Sequence, residues 1–243
     1  MKILAIESAS LTASAALLLD DTVTAEYTTN FKKTHSQTLL PMVDAICSMT
    51  GVKVTELDAI AVSEGPGSFT GLRIGAATAK GLAFASDIPI IPVPTLDAIA
   101  YGCYGSSYLL CPLMDARRSE VYSGLYEFED GKFIVHEAAC ARSIEEQVAA
   151  AEKLAGTRGK QVMYLGDGLP VFREKIRFLA EGRAVFAPAH ICDQKASSVA
   201  ALGAVLYEAG KTVSSYEFEP LYLRKSQAEQ EREKAGLSTE PEN

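Results

Sequence analysis

The chain has 243 residues, enough for one large domain or two lobes of about 100 to 120 residues that each bury a core. Its 48% hydrophobic and 22% charged residues are a globular balance and exclude a disordered chain. A net charge of −8 excludes a dedicated nucleic-acid binder, because phosphate affinity comes mainly from Lys and Arg, so any RNA is expected to be held by a partner.

In chain order, Ile3-Leu4-Ala5-Ile6 predicts a strand. It meets Glu7 after four apolar residues, too soon for a signal peptide, and no run of 18 apolar residues follows, so a cytoplasmic protein without a membrane anchor is expected. Ala13 to Leu19 and Val23 to Tyr27, around Asp20-Asp21, predict a hairpin. A helix is expected from about Thr38, with Thr38 as cap, Pro41 in the first turn and Gly51 as its stop. A short strand over Ala59 to Val62 leads into the glycine-rich loop Ser63-Glu64-Gly65-Pro66-Gly67-Ser68-Phe69-Thr70-Gly71, followed by a helix to Ser86, a strand over Pro89 to Val93 and a helix from Thr95.

The second half repeats the theme. Strands are expected at Tyr108 to Met114, Glu120 to Phe128 and Lys132 to His136, with a turn at Asp130-Gly131. Helices at Ile144 to Leu154, Leu169 to Leu179 and Ser197 to Ala209 alternate with strands at Val162 to Leu165 and Ala184 to Phe186. Two α/β lobes with a cleft between them are expected, over residues 1–105 and 106–225. Residues 226–243 hold five Glu against one Arg and one Lys and a single large aliphatic, Leu237, which predicts a frayed or disordered tail.

Few residues offer chemistry. The glycine loop, with Gly65, Gly67, Ser68 and Thr70, could present N–H groups to an anion at a helix N-terminus, or its glycines could merely permit tight turns and close packing. It fits neither Gly-x-Gly-x-x-Gly, since position 70 is Thr, nor a Walker A loop. His35, His136 and His190 are scattered, the five cysteines form no Cys-x-x-Cys pair, and no Gly-x-Ser-x-Gly elbow occurs, so no metal, disulfide framework or catalytic triad is expected. Asp115, Arg117 and Arg118, in Asp115-Ala116-Arg117-Arg118-Ser119-Glu120, could clamp a carboxylate or phosphate, or form a solvated turn.

The helix after the glycine loop has only Arg73 and Lys80 as charges. At 100° per residue Arg73, Ala77, Lys80 and Phe84 share one stripe, the most polar available, which is expected to face outward; Phe84 either tucks under a neighbouring loop or anchors a partner interface beside a helix carrying Leu39, Val43 and Ile46.

Taken together, Ile3 to Ser10, His35 to Pro41, the string Gly65-Pro66-Gly67-Ser68-Phe69-Thr70-Gly71-Leu72-Arg73-Ile74-Gly75, Asp115 to Tyr122 and Pro220 to Arg224 resemble the TsaB (YeaZ) family over about residues 1 to 225. The resemblance implies a two-lobed actin/Hsp70/sugar-kinase-like fold, RNase-H-like in each lobe, with a degenerate active site. It implies a cytoplasmic, non-catalytic subunit that works with TsaD and TsaE homologues to make N6-threonylcarbamoyladenosine next to the tRNA anticodon, self-associates when isolated, and needs no cofactor of its own. The catalytic relative's His-x-Glu-x-His is matched here by Thr95-Leu96-Asp97-Ala98-Ile99, which cannot supply two imidazoles. Its relatives' phosphate loops are matched by Glu7-Ser8-Ala9-Ser10, without the glycine, and by Asp115 to Arg118. The alternative is an ATP-dependent small-molecule kinase or ATPase of the same superfamily.

Overall fold

The computed structural model describes residues 1–31 and 34–224, so the expected tail at 226–243 lies outside the described residues. The first sheet is built from β1 (Lys2–Glu7), β2 (Ala13–Leu19), β3 (Thr22–Thr29), β4 (Ala59–Gly65) and β5 (Ile90–Pro94) in the order β3-β2-β1-β4-β5. The second contains β6 (Leu109–Asp115), β7 (Glu120–Glu129), β8 (Lys132–Ser143), β9 (Val162–Leu165) and β10 (Val185–Phe186) in the order β10-β9-β6-β7-β8. Each is an antiparallel three-strand meander whose first strand then pairs in parallel with a fourth. The two halves thus share one topology without an evident sequence repeat.

Helices α1 (His35–Thr50), α2 (Phe69–Ser86) and α3 (Thr95–Tyr101) belong to the first half, and α4 (Ile144–Arg158), α5 (Leu169–Leu179), α6 (Ala189–Cys192) and α7 (Ala196–Glu208) follow. β1 reads as an unbroken apolar run because both of its faces are covered, the usual condition for a strand in parallel pairing. Leu4 and Ile6 meet the α1 and α2 side, whereas Ile3 and Ala5 point to α7. No helix among the described residues is long and apolar enough to cross a membrane.

Three expectations need correction. The helix predicted from Thr38 starts at His35, and the Thr38 hydroxyl lies 3.4 Å from the carbonyls of Thr34 and His35, bonding back into the turn instead of capping it. Pro41 therefore lies inside α1. Leu39, Val43 and Ile46, expected at a partner interface, are 1%, 3% and 0% exposed and pack against Ile6, Leu4 and Leu17 of their own lobe. An i, i+4, i+7 apolar stripe on a sheet-covering helix faces the sheet.

The boundary near 105 separates the two sheets, but α7 returns to the first. Val199, Ala200 and Leu202 join the β1–β4–β5 core, and a Cβ on Gly203 would stand 2.9 Å from that of Ala61. Leu72, Leu96, Ile99 and Ala100 of the first half share a core with Leu109, Leu110 and Tyr126, so the lobes are joined on one side by continuous apolar packing.

Candidate functional site: the interlobe cleft

A cleft of about 910 Å³ lies where β1, β4, β6 and β9 end, the usual ligand position in α/β sheets. It brings together two segments singled out in the sequence. Gly67, Ser68 and Thr70 line one wall and Asp115, Arg117 and Arg118 another, although they are distant in the chain. Gly65 sits behind them, buried under the chain near Leu221.

The glycines bring backbones together. A Cβ on Gly67 would fall 2.4 Å from the Ala9 carbonyl oxygen, one on Gly71 2.1 Å from that of Ser8, and one on Gly65, whose φ is +128°, 2.2 Å from that of Leu221. The loop after β1 is therefore pressed onto the start of α2. Its Ala9 carbonyl takes up a donor that a phosphate would need, the Ser68 N–H, at 2.6 Å, while the Ser68 hydroxyl, capping α2, takes up the Gly71 N–H at 3.3 Å.

The opposite wall is a tight turn. Arg117, Arg118 and Ser119 all have left-handed φ, at 67°, 55° and 61°, a conformation that costs each non-glycine residue about 1 kcal/mol or more. Hydrogen bonds hold it: Arg117 N–H to Asp115 Oδ1 at 2.8 Å, Ala116 N–H to Glu120 O at 3.0 Å and Glu120 N–H to Arg117 O at 3.1 Å. Both arginine side chains are exposed at the cleft rim.

Two buried carboxylates lie near the cleft, Asp167 in its lining and Glu7 behind it. Glu7, at the end of β1, is 1% exposed; burial pushes its carboxyl up to about 7 despite hydrogen bonds from the Ser63 hydroxyl and the Ala9 N–H. Asp167, in Gly166-Asp167-Gly168 after β9, is pushed by burial to about 6, although the Gln194 amide donates to it at 3.1 Å. The available signal was a carboxylate between two glycines directly after a short apolar strand. His35 opens α1 at the cleft with Nε2 2.7 Å from Ser10 O.

The α2 stripe is outside the cleft. Arg73, Ala77 and Phe84 are exposed, and Lys80 is half-buried. Arg73 stacks 3.9 Å over Phe69, while Lys80 Nζ donates to Phe218 O at 3.0 Å. Thr95 and Ile99 are buried, and Asp97 accepts the Tyr126 hydroxyl at 2.9 Å. Among the described residues no group of three His, Cys, Asp or Glu side chains could hold a metal.

One sheet topology used twice, with a cleft over the strand ends, defines the two-lobed actin/Hsp70/sugar-kinase-like class of α/β protein. Comparison with known proteins narrows this. The TsaD family, described as tRNA N6-adenosine threonylcarbamoyltransferase, matches residues 22–232. The tRNA threonylcarbamoyladenosine biosynthesis protein TsaB of Bacillus subtilis (strain 168) is 32% identical over 229 residues, 94% of this chain and 96% of the relative. That of Escherichia coli (strain K12) is 34% identical over 235 residues, with 94% and 96% covered. Among solved structures, YeaZ from Pseudomonas aeruginosa superposes with a TM-score of 0.76 at 26% identity, over 91% of this chain and 99% of that one. The chain belongs to the TsaB (YeaZ) family.

Proposed function

We propose that this chain is a non-catalytic scaffold or activator subunit in the biosynthesis of N6-threonylcarbamoyladenosine next to the tRNA anticodon, and that it acts by binding and ordering a TsaD homologue, together with a TsaE homologue. The names of its relatives support the pathway. The observation that carries the non-catalytic part is the contact of Ser8 and Ala9 with Gly71 and Gly67, which fills with backbone the place where a phosphate cradle would open. Arg117 and Arg118, with full side chains, stand where the superfamily's second phosphate loop is glycine-rich. The exposed α2 stripe of Arg73, Ala77 and Phe84, with Lys80 at its edge, is the surface we assign to the TsaD homologue or to a second copy of this chain. The tRNA is held by the partner, consistent with the −8 charge here.

Calorimetric titration of the isolated protein with magnesium and ATP separates this from a kinase. The expected result is no binding in the micromolar range. A dissociation constant near 1 μM, about −8 kcal/mol, accompanied by turnover would establish the kinase reading instead.

A further inference from the structure

The chain between α7 and Arg224 lies along the outside of α2 and then crosses the mouth of the cleft. It begins with Val213 and Ile90, which exchange N–H to carbonyl bonds of 2.9 Å in both directions, adding the segment to β5. Phe218, 2% exposed, is inserted among Ile60, Ala79 and Ile90. Lys80 Nζ, from the middle of α2, reaches the Phe218 carbonyl at 3.0 Å and that of Tyr216 at 3.5 Å. Further on, Leu221 N–H donates to Glu64 O at 2.6 Å, at the end of β4. There the Leu221 carbonyl lies so close to Gly65 that no side chain could stand between them. Tyr222 packs on Phe69 with ring centroids 4.9 Å apart, and its hydroxyl is 3.3 Å from Arg73 Nε.

The last described residue changes lobes. Arg224 donates to the Ala116 carbonyl at 3.2 Å and forms a half-buried ion pair with Glu120. Those two residues close the left-handed turn that carries Arg117 and Arg118. Behind the cleft lining the lobes share one apolar core, which reaches Ala9 and Met114. On the open side the segment supplies an attachment to each lobe, with the cleft between them.

We infer that residues 213–224 form a clasp across the cleft, seated on α2 by Lys80 and Phe218 and latched to the second lobe by Arg224, so that displacing the segment from the outer face of α2 loosens the Arg117–Arg118 wall. The mechanism is mechanical continuity. Leu221 and Tyr222 are three and four residues beyond Phe218, and Arg224 follows two residues later, so the chain has little slack in which to absorb a shift. Arg73 and Lys80 are thereby tied to the cleft although neither lines it. The clasp acts within this chain and is independent of what binds to α2.

Hydrogen–deuterium exchange of the full chain, read by mass spectrometry on peptides covering 112–122, 214–224 and β1, tests this. Lys80→Met cuts the seat far from the second lobe, and Arg224→Ala cuts the latch. Both should speed exchange roughly tenfold in 214–224 and in 112–122, the factor corresponding to one lost charge-assisted bond, while β1 keeps its rate. Arg224→Lys, which keeps the charge, should restore part of the protection of 112–122. If Lys80→Met accelerates 214–224 alone, the segment is a local cover and no clasp exists. If either variant raises exchange everywhere including β1, the segment serves global stability and the inference also fails.

Discussion

Glu127 offers a test of how the second lobe is held together. Its side chain has no exposed surface, yet it is ion-paired with Lys160 at 3.0 Å and with Arg158, which bridges on to Glu129 at 3.0 Å, and it lies 3.0 Å from His136 Nε2. Burial alone would push this carboxyl up; the bonds from Lys160, His136 and Arg158 outweigh it and hold the group at about 2, below its ordinary 4.5. A depressed value means the stabilisation is present above pH 4.5 and is lost as pH falls toward 2. The difference corresponds to about 3 kcal/mol at pH 7. Glu127→Gln, which keeps the shape and removes the charge, should therefore lower the urea unfolding free energy by about 2 to 4 kcal/mol at pH 7. At pH 3 the gap to wild type should shrink to about 1 kcal/mol, because the unfolded carboxyl is then protonated and the folded one is not. A gap that stays constant between pH 7 and pH 3, or no gap at pH 7, would refute the assignment of that stability to ionised Glu127.

Other perturbations probe the cleft and the α2 face. Glu7 has a raised value, so wild type loses stability as pH climbs from 4.5 to about 7; in paired urea titrations Glu7→Gln should gain about 3 kcal/mol relative to wild type over that range and then run parallel to it. Gly71→Ala drives a Cβ into the Ser8 carbonyl and should cost about 1 to 3 kcal/mol in thermal or urea unfolding, whereas Gly81→Ala, in open space on the same helix, should not destabilise. Phe84, 63% exposed and edge-on to Tyr216 at 5.7 Å, should be replaceable by Asp with little change in circular dichroism, while association with the TsaD homologue weakens roughly 30- to 1,000-fold by ultracentrifugation or calorimetry.

Most of the elements were legible because period and punctuation agreed. Leu169–Leu179 was read to the residue, and the hairpin turns at Asp20-Asp21 and Asp130-Gly131 have left-handed φ at Asp20, Asp130 and Gly131. Where they disagreed the boundary shifts: Thr38 is a residue type that can cap a helix and Pro41 is tolerated in a first turn, but α1 begins three residues earlier at His35. β8 ran on to Ser143 because its pairing with β7 absorbs irregularities around Leu125, which no alternation pattern shows. The two cleft walls could be picked out from glycine spacing and paired arginines. Asp167 offered only its place between two glycines after a short strand, and Glu7 offered nothing, since its unusual titration comes from burial in the assembled fold. The clasp was equally hidden, because Pro220 to Arg224 has no periodicity and its partners lie more than 100 residues away in the case of Arg224.

The most direct test of the proposed role is reconstitution of tRNA modification from purified TsaD and TsaE homologues, with and without this chain. Formation of N6-threonylcarbamoyladenosine should require the chain and saturate at one copy per TsaD homologue, while the chain alone with ATP should modify nothing. Equal product formation in its absence, or ATP turnover by the chain by itself, would contradict a scaffold or activator role.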